Sequence, residues 1–244
     1  MSERVAVVGG TGKTGRAVVT ALTARAAEAV PLGRAAWIDL AGALDGCAAA
    51  YVIAPNMHHD EAAYVERVVD AARRSGVSRV VLHSVASPYV PAMPHHVGKA
   101  AAEDVVRRSG LGWTILQPGA YVQNFPADAT VRLAYRASAP FGFADLDDVA
   151  DVAARVLVED GHDGATYELA SFAATAGELV TSLGSTVEQV SPEVWAATEG
   201  RALEPRVRDW LQQMFAYYDR YGLPVGTRPM RFLLDRAPRV LVGA

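Results

Sequence analysis

Gly9, Gly12 and Gly15 recur at three-residue intervals in Val5-Ala6-Val7-Val8-Gly9-Gly10-Thr11-Gly12-Lys13-Thr14-Gly15, and Gly10, Gly12 and Gly15 satisfy the spacing G-x-G-x-x-G as well. Glycines spaced this way let an anion approach the backbone. The chemistry they serve is the binding of a pyrophosphate on the first N–H groups of a helix, where the helix dipole is positive. The context supports that reading. Four apolar residues precede the loop as a strand buried on both faces, and Thr14 to Arg25 carries Ala, Val and Leu at helical spacing. Gly12-Lys13-Thr14 also ends like a nucleotide-triphosphate loop, but that motif needs a glycine where Val7 stands, inside the strand. Lys13 is read instead as an anchoring cation beside Thr11 and Thr14.

A second group lies at the end of the next strand-like run, about twenty residues past the loop, where a carboxylate would take the ribose hydroxyls of NAD and an arginine would accommodate the extra phosphate of NADP. Arg34 occupies that place, and its planar fork suits a phosphate. Asp39 is the alternative ribose ligand if the strand is misplaced. Lys13 and Lys99 are the only lysines in a chain whose other basic side chains are arginines, and Lys99 closes the segment His95-x-x-x-Lys99. His58-His59-Asp60-Glu61 offers metal-ligand types, but neighbouring residues do not converge easily on one ion, so it reads as a polar helix start and no metal is expected.

These groups need a frame. Strand-like runs recur at Ala29 to Gly33, Ala49 to Ile53, Arg79 to His83 and Trp113 to Gln117, separated by helical patterns, which predicts a parallel sheet. Arg73-Arg74-Ser75-Gly76 and Arg107-Arg108-Ser109-Gly110 each end a helix just before a strand, a repeated crossover of the kind a doubly wound sheet requires. Trp37 to Leu40 follows the second strand too closely for a full crossover helix, so either a tight loop runs there or a strand is misassigned. From about residue 140 the pattern changes to a strand at Phe141 to Phe143, a helix from Asp147 to Val158, a strand at Thr166 to Leu169 and a mostly helical remainder. Val207, Trp210, Leu211, Met214, Phe215 and Tyr218 share one helical face there, as core or as an aromatic pocket wall. The predicted architecture is an α/β, Rossmann-like doubly wound parallel sheet over residues 1–139. A smaller, mostly helical substrate-binding region, 140–244, packs on it without being an independent domain.

The chain resembles the NmrA-like family, atypical relatives of the short-chain dehydrogenases and reductases that include NADPH-dependent quinone reductases and redox-sensing regulators. Beyond the glycine loop the resemblance rests on Gly46 to Pro55, on Lys99-Ala100-Ala101-Ala102-Glu103 followed by Ser109 to Gly119, on Asn124, on Asp147-Asp148-Val149-Ala150 and on Arg236-Ala237-Pro238-Arg239. It implies that the cofactor, NADPH, touches Gly9, Thr11 to Thr14, Arg34, the Ala54-Pro55 turn, Ser84, Lys99 and the Pro118 to Tyr121 loop. Tyr121, Asn124 and Phe125 follow the Pro118-Gly119 turn on the cofactor side and are candidate substrate contacts. Gln117 departs from the family pattern, which has arginine there.

Ordinary short-chain dehydrogenases use Tyr-x-x-x-Lys, the tyrosine giving a proton to the carbonyl oxygen. Here the tyrosine position is His95. Reduction of an isolated ketone makes a strongly basic alkoxide and needs that acid, whereas a quinone or extended enone yields a phenolate-like product, phenol itself having a pKa of about 10. A site with cofactor and lysine but no tyrosine therefore suits an electron-poor conjugated carbonyl, including polycyclic aromatic ones. Lys99, His95 and Ser84 are the catalytic candidates. His95 is either a proton donor or a solvent-facing residue at the helix start, and Ser84 either binds a substrate oxygen or caps a turn. The alternative is a non-catalytic sensor that binds NADP and reports its redox state to a partner.

Composition narrows the classes. With 244 residues, 51% hydrophobic, 20% charged and a net charge of -4, the chain can bury a full core and lacks the basic surface of a nucleic-acid binder. Cys47 is the only cysteine, which excludes an internal disulfide and thiolate-rich metal sites and fits a reducing compartment. No apolar run approaches a membrane span and no leader pattern precedes the first strand. The expectation is a cytoplasmic protein acting on a small molecule, with a homodimer allowed.

Overall fold

The computed structural model describes residues 3–240. In chain order the elements are β1 (Arg4–Val8), α1 (Lys13–Ala24), β2 (Glu28–Leu32), a 3-10 turn (Arg34–Ile38), α2 (Leu40–Leu44), β3 (Ala49–Val52), α3 (Glu61–Arg74), β4 (Arg79–His83), α4 (Pro94–Arg107) and β5 (Gly112–Pro118). There follow β6 (Ala120–Tyr121), a 3-10 turn (Val122–Asn124), β7 (Thr130–Leu133), β8 (Pro140–Ala144), α5 (Leu146–Val158), β9 (Ala165–Leu169), β10 (Phe172–Thr175), α6 (Ala176–Ser182), β11 (Thr186–Gln189), α7 (Pro192–Ala197), α8 (Pro205–Tyr221) and α9 (Arg228–Leu233).

Six parallel strands form the main sheet in the order β2-β1-β3-β4-β5-β9. Val5 to Val8 are completely buried, as a central strand with helices on both faces requires. Alternation sorts the side chains. Val5, Val7, Tyr51, Val81 and Leu116 face α1, α5 and α9, and Ala6, Val8, Val52, Leu82 and Ile115 face α2, α3 and α4. Fully burying one such valine or leucine contributes roughly 1.5–3 kcal/mol. Pro31 is tolerated in β2 because that strand is the edge of the sheet. This is the doubly wound α/β architecture expected from the sequence.

Two details differ from the expectation. Trp37 to Leu40 is not a strand. Asp39 accepts a hydrogen bond from the Gly42 N–H at 2.9 Å and so caps α2, and the 3-10 turn with this five-residue helix makes the whole crossover from β2 to β3. Trp37 packs on Tyr64 at 4.5 Å under the Arg67 guanidinium, which holds the turn against α3. The residues beyond 139, secondly, serve two layers. β9, α5 and α9 complete the main sheet and its cover, while β8, β10 and α6 to α8 surround a separate cluster of Phe141, Phe143, Tyr135, Met214 and Tyr218. That cluster also includes Met57 and Met93, which precede α3 and α4, so it sits on the loops at one end of the sheet. The apolar face of α8 joins this cluster, with Met214 and Tyr218 buried and its other members half-buried. Among the described residues no helix is long and apolar enough to cross a membrane.

Candidate active site

The chain runs from β1 outward to β2 and then crosses back past β1 to β3, so a crevice opens at the carboxyl ends of β1 and β3, the usual ligand position in doubly wound sheets. The glycine loop lines it, and its glycines do different jobs. Gly9 has φ +87° and, with Gly10, donates its N–H to the Leu32 carbonyl, tying the loop to β2. A Cβ at Gly10 would fall 2.6 Å from the Val7 oxygen, and one at Gly15 would fall 2.2 Å from the Gly9 oxygen. Those two residues let β2 and α1 close on the loop. Gly12 is different: it is exposed, and its Cβ would meet nothing nearer than the Gly9 oxygen at 3.4 Å. The protein does not crowd Gly12, which leaves room for a ligand to approach.

Gly12 is also the N-cap of α1, with no side-chain cap and no acidic residue in the first turn. The positive end of the helix therefore carries no carboxylate of its own, the state that suits a phosphate. Thr14 is half-buried in that turn, and Lys13 reaches across the crevice to donate to the Gln123 carbonyl at 3.0 Å. On the β2 side the Thr11 side chain lies against Gly33, and Arg34 follows, exposed and without a hydrogen-bond or ion-pair partner among the described residues. Asp39 already holds its carboxylate on α2. Ala54 is buried and Pro55 exposed in the turn after β3, whose Ile53 carbonyl abuts Gly9. An uncapped helix, an open glycine and a free guanidinium on one crevice fit a phosphorylated dinucleotide.

Beyond the crevice lies a run of buried polar side chains. Lys99, on α4, places Nζ 3.0 Å from Glu61 Oε2 and donates to the His83 carbonyl at 3.4 Å. Burial pushes the Glu61 carboxyl above its ordinary range, and Lys99 opposes the shift. The sequence placed Glu61 in a polar helix start; Asp60 is the actual cap, accepting from the Ala63 N–H at 3.0 Å, and Glu61 turns inward at 2% exposure. The only available signal was the need of a buried lysine for a carboxylate. His95 is likewise not solvent-facing: it is 7% exposed, and its Nδ1 lies 3.9 Å from Glu61 Oε1, neither atom having another partner. Burial, then Lys99 and His96, hold the His95 pKa down to about 3, so its ring is neutral at neutral pH.

Ser84 is buried and donates its hydroxyl to Glu103 Oε1 at 2.5 Å, so it is not the free donor that a substrate oxygen would need. Glu103 also accepts from Gln117 and Tyr89 and pairs with Arg107. Gln117 thus faces a carboxylate whose cation comes from its own helix, α4. Tyr121 lies half-buried in β6 and meets His83 Nε2 at 3.3 Å, while the other ring nitrogen meets the Tyr51 hydroxyl at 2.6 Å. Neither His83 nor Tyr51 stood out in the sequence, because both end or fill apolar strands. Asn124 is exposed, and Phe125 packs edge-on against Phe143 at 5.8 Å. Pro118 is buried at the end of β5. His58 and His59 stack on one another, and among the described residues no group of three potential metal ligands comes together.

Three outcomes follow. Gly12→Ala leaves the unfolding free energy within about 0.5 kcal/mol of wild type and weakens dinucleotide binding, whereas Gly15→Ala destabilises by about 1–3 kcal/mol; thermal melts and calorimetry separate the two. Lys99→Ala strands the buried Glu61 charge and costs about 3–5 kcal/mol in urea unfolding, most of it recovered when Glu61→Leu is added. Burial as the leading cause also lowers the pKa of His83 to about 3 and of His96 to about 4, alongside His95. Folded-state values below the unfolded one, about 6.5, give stability that is full above that pH and lost as pH falls toward the folded values, at up to roughly 1.4 kcal/mol per histidine per pH unit. The raised Glu61 acts oppositely but is one group against three. Urea midpoints should fall between about pH 7 and about pH 5, and a flat profile would contradict this assignment.

A sequence model described as NAD(P)H-binding matches residues 36–160, more than half of the chain and wholly beyond the glycine loop. An NAD(P)H azoreductase of Xenophilus azovorans is 27% identical over 252 residues, covering 87% of this chain and 86% of that one. Quinone oxidoreductase 2 of Escherichia coli is 28% identical over 220 residues, 75% of this chain and 76% of that protein. The crystal structure of the Escherichia coli NADPH-dependent quinone oxidoreductase QOR2 complexed with NADPH superposes with a TM-score of 0.81 at 22% identity, over 98% of this chain and 97% of the other.

Proposed function

The chain belongs to the NAD(P)H-binding family, and from that premise we propose that it is an NADPH-dependent reductase passing hydride to a quinone-like or conjugated carbonyl compound, polycyclic aromatic ones included. The observation that carries the cofactor choice is Arg34, which is exposed, follows the Gly33 that Thr11 lies against and has no hydrogen-bond or ion-pair partner among the described residues, with the nearby Asp39 carboxylate committed to capping α2. The pyrophosphate rests on the first-turn amides from Thr11 to Thr14, with Gly9 and Gly12 giving it room and Lys13 above it. Ala54 and Pro55 contact the nucleotide from the β3 side. Lys99 has three N–H donors, one on Glu61 and one on His83, and the third serves the nicotinamide ribose. Bound NADPH supplies the hydride.

The substrate class follows from what position 95 lacks. A neutral, buried imidazole there is a poor substitute for a phenol, and an acceptor whose reduced oxygen is weakly basic asks least of whatever acid the site holds elsewhere. One relative is named as a quinone oxidoreductase and another as an azoreductase, and quinone and azo groups are both conjugated acceptors. Phe125, backed by the aromatic cluster of β8 and α8, and Tyr121, packed on the core of the main sheet, form the apolar side of the pocket. The setting is the cytoplasm, where the buried Cys47 stays a free thiol.

Arg34→Ala tests the reading. Loss of one charged phosphate contact, worth roughly 1.5–3 kcal/mol, weakens NADPH by about 10- to 100-fold and leaves NADH unchanged in calorimetric titrations. Equal weakening of both would refute the phosphate role. Tight NADPH binding with no oxidation across a panel of quinones and azo dyes would favour a non-catalytic sensor.

A further inference from the structure

Tyr51, His83 and Tyr121 form a hydrogen-bonded row that the binding of the dinucleotide does not explain. We propose that Tyr121 donates the proton that completes reduction, in place of the tyrosine absent at position 95, and that Tyr51 and His83 are positioning residues that keep its hydroxyl proton free for the substrate. The proposal rests on the NADPH-reductase reading and identifies the proton donor of that site.

Donor counting carries it. A neutral imidazole has one N–H and one bare nitrogen. Tyr51 is completely buried in β3, and its hydroxyl has one partner, His83 Nδ1 at 2.6 Å. If Nδ1 held the hydrogen, the Tyr51 O–H would be left in the core with no acceptor, which folded proteins rarely tolerate. Tyr51 therefore donates to Nδ1, the hydrogen resides on Nε2, and Nε2–H donates to the Tyr121 oxygen at 3.3 Å. The two rings lie nearly parallel, 4° apart in plane. In this arrangement the Tyr121 hydroxyl accepts from the protein and its own proton is not used by it. Burial first, and then Lys99, keep His83 neutral, with a pKa of about 3. Burial, Tyr51 and Asp145 raise the Tyr121 pKa, so the phenol stays protonated at neutral pH.

Position agrees. The Tyr121 hydroxyl meets the last residue of β4, at the carboxyl edge of the sheet, and Tyr121 is two residues from Gln123, whose carbonyl receives Lys13 from the glycine loop. In the step itself, hydride and its electron pair form a new bond to the conjugated system. The carbonyl π pair moves onto oxygen, and that oxygen takes the Tyr121 proton as the phenolic O–H breaks. The Tyr121 phenolate, stabilised by Nε2–H, regains a proton from water after product leaves. Substrate gains two electrons and NADPH is oxidised to NADP+.

The tautomer is read without cofactor by 15N NMR of histidine-labelled protein: His83 should show a bare Nδ1 and a protonated Nε2, and Tyr51→Phe should move Nδ1 toward the shift of a bare nitrogen that accepts no hydrogen bond. With NADPH and a quinone, Tyr121→Phe should lower kcat by about 100-fold with little change in the KM for NADPH. Tyr51→Phe, which preserves ring volume, should lower kcat by about 10-fold and add nothing in the Tyr121→Phe background. A wild-type kcat in Tyr121→Phe, or a hydrogen on Nδ1 in the wild type, overturns the proposal while the reductase reading stands. A wild-type protein that neither binds NADPH nor reduces any acceptor overturns both.

Discussion

The uncapped first turn of α1 is the constraint on which the rest of the structure depends. A helix end normally finds a side-chain oxygen or water for its orphan N–H groups, and here Gly12 supplies no side chain and no acid follows it. The packing around the loop leaves that end open. Gly10 and Gly15 bring β2 and α1 within contact of the loop, and Gly9 ties the loop to the Leu32 carbonyl. An anionic ligand is the chemistry that such an end accepts, and the order of strands in the sheet places it over the crevice between β1 and β3.

A second feature is the density of buried polar groups at the same end of the sheet. Lys99 with Glu61, Glu103 with Ser84, Gln117 and Arg107, and Tyr51 with His83 are nearly all satisfied within the protein, in a region where each would cost stability if left alone. The exceptions are Glu61 Oε1 and His95 Nδ1. Charge is thus fixed before any substrate arrives, which is how an active site avoids reorganising at the moment of reaction. Hydrophobic packing alone would have stabilised the fold at lower risk, so the polar row reads as a functional expense.

Sequence reasoning recovered what is local and periodic. The glycine loop, the buried strands and the helices from Lys13 and Glu61 were legible because spacing of three, two and 3.6 residues is written directly in the chain. Asp39 stayed open as the alternative to Arg34 because a cap and a ribose ligand are the same residue type, and the Gly42 N–H shows it in the first role. Ser84 and His95 were legible as polar residues near a turn and a helix start, but their burial depends on what packs from α4 and α3, which no local pattern records. His83, Tyr51 and Glu61 were missed for the same reason: their partners lie about twenty to forty residues away. The family resemblance located Lys99 and Tyr121, and packing showed what each touches.

The account's central claim is that a phosphorylated dinucleotide binds with its bridging phosphates on the open turn of α1. A crystal structure grown with NADPH tests it most directly. The account predicts pyrophosphate oxygens within about 3 Å of the backbone amides between Thr11 and Thr14 and the ribose phosphate against Arg34. A nucleotide bound elsewhere, or an empty crevice at saturating NADPH, would contradict it.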